Sequence, residues 1–230
     1  MKQMNSARQS GFTLVEIAIV LVIIGLLLGG VLKGQEMIEN SKVKAIVNDM
    51  KAIQVAYNGY IDRYKAIPGD ESNAVMLARG WTGVTGGGDG NGVLGAAVAQ
   101  TFVNAAGNET SAFWQALRGS GLLTGDQTAV GVAALPKHAG GGNIGVAGPT
   151  VYGQTGTFVC ASGLTTKQAM SVDILIDGPL PANQTGNNIG SLRGNTNAAN
   201  PFAPAAALPG GVVYSETGAL NPWTVCMKIG

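Results

Sequence analysis

Side chains able to carry chemistry are few in this chain and widely scattered. There is one histidine, His138, in the Gly-rich stretch 136–156, and there are two cysteines, Cys160 and Cys226. A Ser–His–Asp or Cys–His arrangement would have to use His138. No partner pattern accompanies it, so it reads as an exposed loop histidine. Neither an HExxH string nor cysteines at zinc spacing occur. Gly90-Asn91-Gly92-Val93-Leu94-Gly95 spells GxGxxG, but a dinucleotide site needs that string between a strand and a helix. Here Gly86-Gly87-Gly88-Asp89 precede it, which reads as loop. Asp89 and Asn91 alternate as oxygen ligands do in a calcium loop. The remaining ligands are missing locally, so Asp70, Glu71 or Glu109 would have to converge on them. A plain Asn/Gly turn is the competing account. The chain therefore reads as a non-enzyme, with calcium at Asp89 and Asn91 as the one cofactor candidate.

One carboxylate is out of place. From Phe12 to Leu32 the only polar side chains are Thr13 and Glu16. About twenty apolar residues are what a helix needs to cross a bilayer, and an ionised acid within such a helix costs about 2.5–3.5 kcal/mol on insertion scales. Lys2 and Arg8 precede the run and Lys33 follows it. This pattern keeps the basic leader cytoplasmic and the C-terminal bulk outside. A secretory signal peptide has a shorter apolar core and a small-residue cleavage site after it, whereas Lys33-Gly34-Gln35-Glu36 follow here. A plain membrane anchor, as of a membrane-anchored enzyme or receptor whose helix never assembles, accounts for the length but gives no reason to keep Glu16, and the lack of a catalytic constellation argues against it.

The string Gly11-Phe12-Thr13-Leu14-Val15-Glu16, behind a short basic leader and ahead of an uninterrupted apolar run, resembles the recognition site of prepilins. The resemblance covers residues 1 to about 40. It implies a type IV pilin, or a pseudopilin of a type II secretion system, whose leader a prepilin peptidase removes between Gly11 and Phe12. Phe12 then becomes the methylated N-terminus. The apolar helix is retained as the assembly element, and Glu16 pairs with the terminal amine of a neighbouring subunit. One helical turn separates Phe12 from Glu16, which places both on one face; each charge is costly in an apolar bundle unless paired. The implied partners are the peptidase, other pilin subunits in a homo- or hetero-polymer, and the inner membrane. The implied location is a single-pass inner-membrane precursor with a periplasmic domain, then a pilus or a periplasmic pseudopilus. Pilins of this kind often have a proline near residues 29–33; this chain has Gly25, Gly29, Gly30 and Gly34 instead. Those glycines either weaken the helix locally, at about 1 kcal/mol each relative to alanine, or allow close helix packing.

The elements that must position these residues follow from periodicity. Ile46, Val47, Met50, Ile53, Tyr57, Tyr60, Ile61 and Tyr64 recur at helical spacing. One helix is expected from about Phe12 to about Tyr64, ending before Pro68-Gly69-Asp70. The tyrosine stripe, with Trp81, reads as core packing rather than as an electron path or a nucleic-acid platform. Short helices are expected at 71–78, at 113–117 and from Thr165 to about Leu175, with Thr165 as N-cap. Strands are expected at 151–152, 156–160, 211–215 and 223–229. The expected class is α+β: a long N-terminal helix, transmembrane in its first half, on a small antiparallel sheet with Gly-rich loops. The expected division is leader 1–11, membrane and assembly helix 12–34, amphipathic continuation 35–66 and globular domain 67–230. The strings Ile67-Pro68-Gly69-Asp70-Glu71-Ser72, "GDGNG" at 88–92 and "FWQALRGSGLLTG" at 113–125 resemble a group of proteobacterial prepilin-like proteins.

Composition agrees with an exported structural part. Charged residues are 12% of the chain, about half the roughly 25% of soluble domains. Formal net charge is +1, and becomes −1 once Lys2 and Arg8 leave with the leader. No field favours nucleic acid. Two cysteines in an exported domain point to one disulfide, Cys160 to Cys226, worth about 4 kcal/mol on the chain-entropy model. Two unrelated buried thiols are the alternative. By the resemblance, such a pair closing a C-terminal loop is a pilin feature.

Overall fold

Apolar residues at helical spacing build the first element of the structure, a computed structural model that describes residues 13–179, 190–207, 214 and 221–230. Helix α1 runs from Leu14 to Tyr64, 51 residues without interruption. The chain divides into two units, residues 1–41 and 42–230. In the first, every large apolar side chain from Leu14 to Leu32 is exposed. These nineteen residues rise about 29 Å, close to the ~30 Å hydrocarbon thickness of a bilayer. Lys33 and Glu36 form an exposed ion pair at 2.8 Å just beyond them. The helix passes Gly25, Gly29, Gly30 and Gly34 unbroken, and the space where each would carry a Cβ is open. Among the described residues no close approach therefore requires those glycines.

The second unit is an α+β fold. The buried stripe of α1 is Val43, Ile46, Val47, Met50, Ile53, Ala56, Tyr57 and Tyr60, the period-3.6 face of an amphipathic helix. The helix ends where Lys65 takes a positive φ of 56°, and Pro68 follows. Next come α2 (Asn73–Ala78), α3 (Glu109–Gly119), strands β1 (Ile144–Ala147), β2 (Thr150–Val151), β3 (Gln154–Thr155) and β4 (Phe158–Leu164), helix α4 (Thr166–Asp177), and strands β5 (Leu192–Thr196) and β6 (Trp223–Lys228). The main sheet is antiparallel in the order β1-β4-β6-β5, and β2–β3 form a separate ribbon. Helix α4 packs on β4, β5 and β6, and α3 meets β1. One core joins the α1 stripe to Phe113, Trp114 and Leu117 of α3 and to Val146, Val159, Leu192 and Val225 of the sheet. Tyr57 stacks on Phe113 with ring centroids 6.4 Å apart.

Thr165 caps α4 as expected, in a full capping box. Its hydroxyl accepts from Gln168 N–H at 3.2 Å, and Gln168 Oε1 accepts from Thr165 N–H at 3.0 Å. Helix α3 is longer than its apolar run because Asn108, in extended conformation, starts it four residues earlier. Helix α2 begins at Asn73 rather than residue 71, since Ser72 is the extended residue before it and the Glu71 side chain is engaged with Arg79. The expected strand at 151–152 is one edge of the β2–β3 ribbon and stops at Val151, because Tyr152 turns to φ 47°. Strand β4 begins at Phe158 and extends beyond residue 160. The expected strand at 211–215 falls outside the described residues except for Tyr214. Strands β1, β3 and β5 lie outside the strands expected from the sequence.

Candidate functional site

Thr13 sets the start of α1. Its carbonyl accepts from Ile17 N–H at 3.3 Å, and its hydroxyl accepts from Glu16 N–H at 3.3 Å. Glu16 Oε2 in turn accepts from Thr13 N–H at 2.8 Å and from the Thr13 hydroxyl at 2.9 Å. This is a capping box, so the one carboxylate in the apolar segment is held at the helix start rather than left without a donor. Gly11 and Phe12 lie outside the described residues.

A family model described as the prokaryotic N-terminal methylation motif matches residues 6–32. The segment is a prepilin-type signal. The match takes in Gly11, Phe12, Thr13 and Glu16 and ends at Leu32, the last residue of the apolar run. No curated protein matches the chain. The motif supports a type IV pilin-like precursor, a class of structural subunits, and implies processing by a prepilin peptidase. Among the described residues one helix is long and apolar enough to cross a membrane, which is compatible with a single-pass anchor.

Beyond the signal, the three shorter strings singled out in sequence fold onto one another. Asp70 is buried and accepts from Asn91 N–H at 3.1 Å and Gly92 N–H at 2.8 Å, which fixes the 88–92 loop. Gln115 of α3 accepts from Thr85 N–H at 3.1 Å and Gly86 N–H at 3.0 Å. Glu71 pairs through both carboxylate oxygens with Arg79 and accepts from the Tyr60 hydroxyl. The Arg79 guanidinium lies 4.4 Å over the Tyr64 ring and 5.3 Å over the Trp81 ring. Tyr60, Tyr64 and Trp81 are thus packed around an ion pair at the end of α1. Desolvation, with Glu71 beside it, pushes the Tyr60 hydroxyl far above its usual range.

Asp70, Asp89 and Glu109 converge, each offering a carboxylate oxygen within 4.8 Å of the others. Glu109 accepts from Gly95 N–H, yet its acidity is reduced, first by burial and then by the charges of Asp70 and Asp89. Of the two calcium candidates, Asp89 belongs to this cluster. The Asn91 carboxamide is committed elsewhere, its Oδ1 accepting from Val93 N–H at 2.8 Å and its Nδ2 donating to Asp89 at 2.9 Å. Glu71 is turned away from the cluster to Arg79.

Cys160 of β4 and Cys226 of β6 are register partners and form a disulfide. His138 requires a correction. It is not an exposed loop residue but 3% exposed, with its ring against β4. Burial holds its pKa below the ordinary histidine value, against the opposing pull of Ser162 and Asp49. Glycine density around it suggested solvent; the glycines instead let the loop fold tightly over the ring.

Proposed function

We propose that the chain is the precursor of a type IV pilin-like structural subunit, cut between Gly11 and Phe12, methylated on Phe12 and polymerised into a filament through α1. The observation that carries this reading is Glu16. It is the one acid within an exposed apolar helix that falls inside the prepilin signal, and it is held at the first turn by Thr13. Cleavage creates an amine at Phe12, one residue from the cap. A neighbouring subunit's amine is the cation that would offset this carboxylate in an apolar bundle. One such partner per subunit sets an axial offset. The precursor would span the inner membrane once with its domain in the periplasm, and its partners would be the peptidase and other subunits. Glu16→Ala is expected to insert and be cut as the wild type is, while its incorporation into filaments falls about tenfold or more. Normal incorporation would remove Glu16 from the assembly step.

A pseudopilin of a type II secretion system is the second reading, and Glu16 suits both. The Cys160–Cys226 disulfide, which closes a long C-terminal segment, favours the pilus. Imaging of purified filaments separates the two: long surface fibres support the pilus, and short periplasmic assemblies support the pseudopilus.

A further inference from the structure

His138 is the only histidine in the chain, and both of its ring nitrogens are committed. Nδ1 accepts from Gly140 N–H at 3.1 Å. Nε2 lies 2.8 Å from the Ser162 carbonyl oxygen, which can only accept. One state satisfies both contacts, the neutral imidazole with its proton on Nε2. A proton on Nδ1 would face the Gly140 N–H, donor against donor.

The ring sits inside a short hairpin. Lys137 bridges to Asn143, His138 N–H donates to the Gly142 carbonyl at 3.1 Å, and Gly141 N–H donates to the His138 carbonyl at 2.8 Å. The far side of the hairpin is joined to β4, where Ser162 N–H donates to the Asn143 carbonyl at 3.0 Å. Its tip is tied to helix α1, where Ala139 N–H donates to Asp49 Oδ2 at 3.0 Å. The hairpin closes tightly on the ring. A Cβ on Gly142 would lie 2.5 Å from Nε2 and 1.8 Å from the Ser162 oxygen, and one on Gly140 would lie 3.1 Å from Ile46 of α1. The ionisable group facing the ring from α1 is Asp49; β4 presents only the Ser162 backbone, and Lys137 of the hairpin is exposed.

We propose that His138 is an acid-sensitive latch, and that protonation of its ring opens the 137–143 hairpin and releases its tie to helix α1 at Asp49. Loss of the Gly140 contact turns the cation out of its pocket, and Ala139 leaves Asp49 with it. Burial, which disfavours the charged form, sets the latch below the ordinary histidine range.

The test uses the full-length chain in detergent micelles and nitrogen-detected NMR of the imidazole, with the amides of Ala139, Gly140, Gly141 and Met50 followed from about pH 7.5 to about pH 4.5. At the upper pH, Nδ1 is expected to be the unprotonated nitrogen. On acidification the ring is expected to titrate below about 6.5, and the Ala139 and Gly140 amides to move with the same midpoint. Their protection from exchange, corrected for intrinsic rates, should fall about tenfold or more. Asp49→Asn removes an attractive charge and should lower that midpoint further. His138→Gln, which keeps a donor toward Ser162, should abolish the transition in the hairpin amides. A ring that titrates while those amides stay fixed would overturn the proposal, as would hairpin opening with an unchanged midpoint in His138→Gln. The wild-type measurement alone decides if that variant fails to fold.

Discussion

Replacing Cys160 and Cys226 together by alanine isolates what the cross-link contributes. The two residues are 66 apart in sequence, and on the chain-entropy relation a loop of that length restricts the unfolded chain by about 4.4 kcal/mol at room temperature. Both side chains are buried, but each loses only a sulfur, so packing adds a smaller amount. For a domain of this size about 1 kcal/mol corresponds to roughly 2–4 °C, giving a drop of about 9–18 °C. Purified full-length chain in mild detergent, followed by circular dichroism through heating, gives the comparison between oxidised wild type, reduced wild type and the double variant. The last two are expected to melt close together and both well below the first. A drop under about 3 °C would refute the reasoning. It would mean that pairing of β4 with β6 already restricts the chain as much as the bond does.

Arg79→Lys should cost about 2–3 kcal/mol, measured by urea denaturation, because lysine can replace neither the two-pronged pairing with Glu71 nor the stacking on Tyr64 and Trp81; a loss under about 0.5 kcal/mol would show that the network is ornamental. Asp173 on α4 is pushed up to about 7, chiefly by burial and further by Asp177, against the lowering effect of the Tyr214 hydroxyl at 3.1 Å. The folded chain therefore holds a proton there that the unfolded chain releases near pH ~4. The stability linked to that proton is fully present below about pH 4 and is lost as pH rises through about 7. Asp173→Asn should flatten the denaturation midpoint between about pH 4 and 7 relative to wild type, and an unchanged slope would contradict this.

What was legible in the sequence was local. The stripe from Ile46 to Tyr64 repeats with the period of a helix, Thr165 marks a cap, and residues 223–229 carry a run of β-forming residues. Strands β1 and β5 were not legible because their cause is not local. Leu192-Arg193-Gly194-Asn195-Thr196 has no apolar alternation and is a strand because β6 pairs with it and Arg193 donates to the Tyr152 carbonyl at 2.7 Å. Gly145 breaks the apolar run of β1, though not its ladder, and is glycine because a Cβ there would lie 2.3 Å from the Thr101 carbonyl oxygen. The acidic cluster joins Asp70 and Glu109 to Asp89 across about twenty residues on either side, a distance that only tertiary packing closes. Asp70, Glu71 and Glu109 could be named from sequence as residues able to converge, but not sorted; the pairing of Glu71 with Arg79 does the sorting. His138 was misjudged because glycine-rich composition reads as exposed loop, whereas here small residues admit a close-packed hairpin over the ring.

The N-terminal signal was the opposite case, since its meaning lies in adjacent residues: glycine, phenylalanine, threonine, then glutamate at the start of an apolar helix. Mass spectrometry of the mature N-terminus tests its role most directly. The expected mature chain begins at Phe12 and carries a methyl group on its terminal amine. An intact Met1, or a terminus after residue 33, would contradict it.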